Sequence, residues 1–205
     1  MAAAGPDPID SDSEAAGGEL TYAYKAGLVG APWELQLKPE GMRWRVGPLS
    51  GVVRYERIRR VRLSFRPATL QQHRFLTEIW SDDAPKLKII STSWRNLTEQ
   101  GRQDREYRAF VIGLHRRLQA VGTHVELSAG APAFIFYLGI VLFAAVMLAF
   151  VGVMLRTLEL REWTGAAIIG GLFALFAWQF GNYFWRNRPQ TYRPDAVPDQ
   201  VLPRG

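Results

Sequence analysis

Six arginines lie within thirteen residues between Arg54 and Arg66, which is the densest chemical signal in this 205-residue chain. Only one acid, Glu56, lies among them. A guanidinium group presents a planar fork of N–H donors that matches the oxygens of a phosphate or a carboxylate. The cluster therefore predicts an anion-binding surface, and the residues expected to carry it are Arg57, Arg59, Arg60, Arg62 and Arg66.

Three interpretations of this cluster stay open from the sequence. It can bind or orient on anionic lipid headgroups, it can dock an acidic segment of a protein partner, or it can be a strand face that is merely solvated. Nucleic acid is also an anion, but the chain contains no recognised nucleic-acid-binding motif. We therefore expect no nucleic-acid partner.

Residues suited to catalysis or metal binding are sparse. The chain has no cysteine, and its histidines His73, His115 and His124 lack the i, i+4 spacing of a helical metal site. His115 lies in a basic stretch and is expected at the surface. The hydroxyl residues at 91–93 have no adjacent base, and no glycine-rich phosphate loop is present. We expect a protein that is not an enzyme and that has no metal or other cofactor.

The arginines belong to a region with the alternation of antiparallel strands. In Arg60–Arg66 the apolar residues Val61, Leu63 and Phe65 would face a core, while the arginines face the other way. Turn residues separate this run from others of the same kind. The predicted strands are Trp33–Leu37, Met42–Val46, Ser50–Arg54, Arg59–Phe65, Arg74–Trp80 and Lys86–Ser91.

The spacing of the apolar residues changes after the last of these strands. Between Gln103 and Val121 the apolar residues recur at three- and four-residue intervals, which predicts one amphipathic helix ending at Gly122. Its predicted apolar face is Tyr107, Phe110, Val111, Leu114, Leu118 and Val121. About six or seven short strands followed by one long helix indicate an α+β domain over residues 20–122, with the helix closing the open end of a curved sheet.

Two long segments without charge follow the helix. Residues 133–155 and 163–185 are each long enough to cross the hydrocarbon core, which needs about 20 helical residues for about 30 Å. They predict two transmembrane helices that form a hairpin. A linker at 123–132 precedes the first helix, and an extracytoplasmic loop at 156–162 joins the two.

Charge is segregated along the chain. Residues 1–19 carry five acids and no Lys or Arg, residues 20–127 carry 19 basic and ten acidic side chains, and residues 128–185 carry two of each. Basic residues flank the outer ends of the two spans, so both termini are expected in the cytoplasm. Residues 1–19, which lack a large apolar cluster, are predicted to be a disordered acidic tail, and residues 186–205 a second disordered cytoplasmic tail.

Small residues recur at helical spacing on both spans. Small side chains let helices approach closely within lipid, so these positions are predicted to pack helix against helix. They either hold the hairpin together or dock another membrane protein or a second copy of the chain. The residues are Ala145, Ala149 and Gly152 on the first span and Ala166, Gly170 and Ala174 on the second. Gln179 and Asn182, near the end of the second span, are expected at the membrane interface.

Three features of the sequence together carry a resemblance to a known family. They are the hairpin Trp33–Val46, the segment Gly51–Ile58 that leads into the basic strand, and the helix followed by membrane spans. They resemble the bacterial pleckstrin-homology-like domains found in small, mostly uncharacterised membrane proteins, over roughly residues 33–121. The resemblance implies a partly open β-barrel of about seven antiparallel strands capped by a C-terminal helix. It also implies binding or scaffolding in the bacterial cytoplasmic (inner) membrane, without catalysis.

We therefore expect an integral membrane protein with two spans. Its cytoplasmic pleckstrin-homology-like domain is predicted to be a non-catalytic module that binds anionic lipid headgroups of the membrane or an acidic protein partner. The alternative is a structural accessory subunit of a larger membrane protein complex, held through the transmembrane hairpin.

Overall fold

A computed structural model describes residues 19–67, 73–94, 100–122 and 124–203. Residues 1–18, most of the predicted acidic tail, lie outside the described residues. The strands are β1 (Leu20–Tyr24), β2 (Trp33–Lys38), β3 (Gly41–Val46), β4 (Leu49–Val53), β5 (Ile58–Pro67), β6 (His73–Ser81), β7 (Leu87–Ile90), β8 (Thr92–Trp94), β9 (Gln100–Arg102), β10 (Glu126–Ala129) and β11 (Gln190–Thr191). The helices are α1 (Asp104–Val121), α2 (Ala133–Glu159) and α3 (Trp163–Arg186).

The first sheet is an antiparallel meander in which β1 to β4 lie in chain order. Leu35 and Met42 are fully buried, while Arg43 and Arg45 are exposed, so the predicted alternation of this hairpin is confirmed. The sequence did not predict β1. Its Tyr22 and Tyr24 hydroxyls donate hydrogen bonds to backbone carbonyls of β7, and these bonds join the first sheet to the second.

The second sheet has the order β11-β10-β5-β6-β7. β5 pairs antiparallel with β6, and β6 with β7, whereas β10 runs parallel to β5. Val61, Leu63 and Phe65 are buried, which confirms the predicted core side of the arginine-rich strand. β8 and β9 form a separate two-stranded pair.

Helix α1 joins the two sheets into one core. The Tyr107 hydroxyl shares a hydrogen bond of 2.6 Å with the Thr77 hydroxyl on β6, and the Phe110 ring lies 5.7 Å from the Tyr22 ring on β1. Gly122 ends the helix with a positive φ of 68°, as predicted, because glycine adopts this conformation without a Cβ clash. The α+β class is confirmed, and no sheet formed by the described strands closes on itself.

Helices α2 and α3 form an antiparallel hairpin, and both are long and apolar enough to cross a membrane. Helix α2 continues past the predicted end of its span, so residues 160–162 alone connect the helices. Phenylalanine rings make the contact between them. The pairs are Phe143 with Phe180 at 5.8 Å, Phe150 with Phe176 at 5.6 Å and Phe136 with Phe184 at 5.7 Å.

The predicted linker and the C-terminal tail that was predicted to be disordered both contain ordered structure among their described residues. The linker at 123–132 contains β10, and the tail at 186–205 forms β11 and then returns to the domain, where Val201 and Leu202 are buried to 1% and 2% exposure. The tail has too few apolar residues to order alone, but the domain supplies the surface that buries these two. The C-terminal segment and the domain therefore lie at the same end of the hairpin.

Candidate functional site

The face of the second sheet that points away from the core is strongly basic. Residues directly opposite each other on paired strands share a face, and the register places Arg62 opposite Glu78 and Arg66 opposite Arg74. Lys88 pairs with Glu78 on the other side. We call this surface the basic sheet face, and it comprises Arg60, Arg62, Ser64, Arg66, Arg74, Leu76, Glu78, Trp80 and Lys88.

Three of the five predicted arginines are already paired with carboxylates. Arg59 and Arg60 lie 2.6 Å from the carboxylates of Asp82 and Glu126, and Arg57 lies 4.0 Å from that of Asp83. The hydrogen bond from Arg59 lowers the pKa of Asp82 and raises its own pKa. These exposed pairs leave less free positive charge at this end of the sheet than the sequence suggested.

Arg62 and Arg66 have no carboxylate partner among the described residues. The Arg62 guanidinium lies 5.4 Å from the centre of the Trp80 ring, in a cation–π contact. Arg66 is exposed near the end of β5. Of the predicted set, these two keep donors available for an external anion.

Lys86, the residue just before β7, forms an ion pair with Glu78 of the basic sheet face. Their charged atoms lie 2.6 Å apart, and Glu78 is only 5% exposed. The Lys86 ammonium also lies 4.3 Å from the centre of the Trp80 ring. Lys86 thus neutralises a carboxylate that would otherwise repel an anion.

A cavity of about 830 Å³ lies where the basic sheet face meets the helical hairpin, and we call it the interface cavity. Arg62, Arg66 and Lys86 supply its positive charge. Its remaining lining comes from Ser64, Phe65 and Glu78 of the sheet, from Gly130, Ala131, Pro132 and Ile135 at the start of α2, and from Gln179, Phe180, Asn182, Tyr183 and Asn187 at the end of α3. Gln179 and Asn182, predicted at the membrane interface, therefore line this cavity.

Ser64 has an unusual position in the interface cavity. Its side chain is 5% exposed, and its hydroxyl has no hydrogen-bond partner among the described residues. A buried hydroxyl without a partner costs free energy relative to a hydrated one. The Ser64 hydroxyl is therefore able to donate a hydrogen bond to an atom placed in the cavity.

The end of α3 fixes the walls of the interface cavity. The Asn187 side-chain oxygen accepts a hydrogen bond of 3.2 Å from the Phe65 backbone N–H, and its carbonyl accepts one from Ala131. Gly130 has a φ of 88°, and a side chain there would collide with the Arg188 carbonyl oxygen. These contacts hold the start of α2 and the end of α3 against β5.

A second cavity of about 340 Å³ lies on the same face, and we call it the outer cavity. Its charged lining residues are Arg66, Arg74, Lys86 and Lys88, with no acid among the described residues that line it. The Nε of Arg74 is buried without a hydrogen-bond partner. The two cavities share Arg66 and Lys86, so they form one positive region.

An apolar groove of about 350 Å³ runs between α2 and α3, next to the interface cavity. Its lining includes Gly139, Val146 and several phenylalanine rings. Ala131, Ile135, Phe180 and Tyr183 line both the groove and the interface cavity. A charged cavity thus lies directly beside an apolar groove.

The small residues predicted to pack helices do not make the hairpin contact as a group. Ala145, Ala149 and Gly152 of α2 are exposed, as is Ala174 of α3. An added Cβ at Gly152 or Gly170 would meet nothing within 4 Å. Ala166 and Gly170 are half-buried. Phenylalanine rings contact one another across the hairpin, and Ala145, Ala149 and Gly152 of α2 face away from α3.

His115 is a correction to the sequence analysis, since it is buried to 1% exposure instead of lying at the surface. Its Nδ1 lies 2.7 Å from the Val111 carbonyl oxygen, and its Nε2 lies 2.8 Å from the Tyr192 hydroxyl. Burial lowers the pKa of His115 and raises that of Tyr192. The histidine is therefore a neutral link between α1 and the C-terminal segment.

Sequence reasoning missed Arg74, Lys86 and Lys88 as members of the site. Arg74–Trp80 and Lys86–Ser91 are predicted strands, but the prediction does not include that the first pairs with the arginine-rich strand and the second with the first. Antiparallel pairing alone would have placed their alternate residues on the basic face.

In the described part of the chain, no three His, Cys, Asp or Glu residues form a group that could hold a metal ion. No family model, curated protein or solved structure matches this chain.

Proposed function

We propose that this chain is a two-span membrane protein whose domain binds anionic lipid headgroups through the basic sheet face. The observation that carries the proposal is the interface cavity. Its lining combines the cations of β5 with the domain-proximal ends of both long apolar helices. In a bilayer those helix ends lie at headgroup depth, so the cations would meet lipid phosphates there.

The lengths of the helices support this placement. Helix α2 has 27 residues and α3 has 24, which correspond to about 40 Å and 36 Å at 1.5 Å per residue. Both exceed the roughly 30 Å of hydrocarbon that a span must cross. Asn187 and Gly130 tie the domain directly to the ends of these helices, so a membrane-spanning hairpin would keep the basic sheet face close to the membrane surface.

The free positive charge on the basic sheet face is large enough to contribute to the binding of anionic lipid. Arg62, Arg66, Arg74 and Lys88 form no ion pair with the described residues. A basic side chain next to an anionic leaflet contributes about 1 kcal/mol, so four would contribute about 4 kcal/mol. The positive charge also favours the cytoplasmic side of the membrane for the domain and both termini, and we propose that this membrane is a bacterial inner membrane.

The resemblance to pleckstrin-homology-like domains supports the same function. An antiparallel meander, a further set of antiparallel strands and a helix follow one another in the expected order. We propose that the domain is a pleckstrin-homology-like module that acts without catalysis.

Energy transfer from the domain to labelled lipid tests the proposal. The chain has no cysteine, so Thr191→Cys gives one attachment site for a donor fluorophore, at an exposed position beside β10. The full chain is reconstituted in phosphatidylcholine vesicles that hold traces of acyl-labelled phosphatidylglycerol or phosphatidylcholine. We expect stronger transfer to the anionic lipid, weakened by high salt and by Arg62→Gln with Arg66→Gln. Arg59→Gln is the matched control, and equal transfer to both lipids refutes the proposal.

A second candidate function is that of an accessory subunit in a membrane complex. The observation that favours it is the exposed small-residue face of α2 at Ala145, Ala149 and Gly152. Gly152→Leu would block a partner helix there, with Val153→Leu on the neighbouring exposed surface as its control. Purification in mild detergent tests this: a stoichiometric partner lost only in Gly152→Leu supports the subunit role.

A further inference from the structure

We propose that the interface cavity and the apolar groove together hold one molecule of an anionic glycerophospholipid. Its phosphate lies in the interface cavity, and one acyl chain lies in the groove. This inference rests on the proposed function and makes it more specific, since a discrete site for one lipid differs from general attraction to a charged surface.

The interface cavity and the apolar groove lie side by side. Ala131, Ile135, Phe180 and Tyr183 line both, so one sufficiently long ligand can contact the two. Their volumes of about 830 Å³ and 350 Å³ lie in the range of small-molecule sites, which are about 300–1,000 Å³. A ligand that fills both must be charged at one end and apolar at the other.

The chemistry of the interface cavity selects a phosphate. Arg62, Arg66 and Lys86 face a single carboxylate, Glu78, which Lys86 already pairs at 2.6 Å. Positive charge therefore remains for the ligand. Arginine forks match phosphate oxygens in two-point hydrogen bonds, and the buried Ser64 hydroxyl, which has no partner among the described residues, supplies a further donor.

The polar end of α3 suits the part of the ligand next to the phosphate. Gln179 and Asn182 bring amide donors and acceptors to the interface cavity. Ester and hydroxyl oxygens of a glycerol headgroup are matching partners. A free phosphate ion would leave these amides and the groove unused.

The groove suits hydrocarbon. Phe143, Phe176, Phe180 and Phe184 surround it, and the Tyr183 hydroxyl is the one polar side-chain group among its described lining residues. A polar ligand segment would lose its hydrogen bonds to water here without replacement. An acyl chain makes no hydrogen bonds to water, so it loses none when it enters the groove.

Native mass spectrometry of the full chain tests the inference. The protein is reconstituted with equal amounts of phosphatidylglycerol and phosphatidylcholine, extracted in detergent and washed, and the retained lipids are counted. We expect one phosphatidylglycerol per chain, retained about tenfold over phosphatidylcholine. Soluble glycerol phosphate in excess should not displace it, since the acyl chain contributes to binding.

Paired variants test the contributions of the interface cavity and of the apolar groove separately. Arg62→Gln with Arg66→Gln should abolish the preference for phosphatidylglycerol, whereas Arg59→Gln should keep it. Val146→Trp fills the groove and should lower retention of any lipid about tenfold, whereas Val153→Trp, exposed on the same helix, should not. Unfolding temperatures of the variants show that each one is folded.

The results distinguish this inference from the proposed function. No retained lipid, equal retention of the two lipids, displacement by glycerol phosphate, or full retention in Val146→Trp each overturns the discrete site. If energy transfer to phosphatidylglycerol still exceeds transfer to phosphatidylcholine, the proposed function stands without the site. If that preference is also absent, both fail.

Discussion

The pair of Lys86 and Glu78 shows at the scale of single residues how the site stays positive. Glu78 is buried, and Lys86 is its one ion-pair partner among the described residues. Lys86→Met would leave a buried carboxylate without a counter-charge. We expect a loss of about 2 kcal/mol in the free energy of unfolding, measured by thermal unfolding in detergent.

A second substitution checks the cause of this loss. Glu78→Gln in the Lys86→Met background removes the uncompensated charge, so we expect it to restore about half of the lost stability. If Glu78→Gln instead lowered the stability of the Lys86→Met variant further, the two side chains would not be coupled.

His115 predicts a pH dependence of stability. Burial lowers its pKa below the ordinary 6.5, so the unfolded chain binds a proton at a higher pH than the folded one. Stability is therefore complete above pH 6.5 and falls as the pH drops below it, by at most about 1.4 kcal/mol per pH unit. Unfolding midpoints at pH 8 and pH 5.5 measure this fall.

Replacing the histidine identifies the responsible group. His115→Gln should shrink the difference between the two pH values by about 1 kcal/mol. His124→Gln, at an exposed position, serves as the control and should leave the difference unchanged. The interpretation fails if the two variants behave alike.

The candidate site was only partly predictable at the residue scale. The sequence predicted that β5 presents arginines on one face, and that face contains Arg60, Arg62 and Arg66. It could not show that Arg57, Arg59 and Arg60 pair with carboxylates, because those acids come from other segments of the chain. Pairing between distant residues is set by the tertiary fold.

At the scale of elements, the C-terminal segment shows how a distant part of the chain packs on the domain. β11 extends the sheet through β10, Arg108 lies 2.9 Å from the carboxylate of Asp199, and Leu202 enters the core. We expect Leu202→Ala to cost about 2–3 kcal/mol in the free energy of unfolding, because it removes buried methyl groups and leaves a cavity.

A nearby exposed residue provides the control for this prediction. Gln200→Ala should change the stability by less than about 0.5 kcal/mol. Chemical unfolding in detergent measures both variants. Equal, small effects would mean that the segment does not pack on the domain in solution.

Strand prediction succeeded where hydrophobic alternation is local. All six predicted strands correspond to β2 to β7, and the predicted helix corresponds to α1. β10 and β11 have four and two residues, and they are stabilised by pairing with β5 and with each other. A short strand held by a distant partner leaves no periodic signal in its own residues.

At the scale of the whole molecule, the fold specifies which parts would share one side of a membrane spanned by the hairpin. The C-terminal segment packs on the domain, so both must lie opposite the connection at 160–162. In spheroplasts, Leu160→Cys should react with a membrane-impermeant maleimide, while Asp195→Cys should react only after lysis. The opposite labelling pattern would contradict the proposed cytoplasmic orientation.

The claim that the basic sheet face contacts anionic lipid is tested most directly by a spin label placed beside it. A nitroxide on Thr191→Cys broadens the phosphorus NMR signals of nearby lipids in a bilayer of phosphatidylglycerol and phosphatidylcholine. We predict stronger broadening of the phosphatidylglycerol signal, and loss of this difference in Arg62→Gln with Arg66→Gln. Equal broadening of the two lipid signals in the spin-labelled protein that keeps Arg62 and Arg66 would contradict contact between the basic sheet face and anionic lipid.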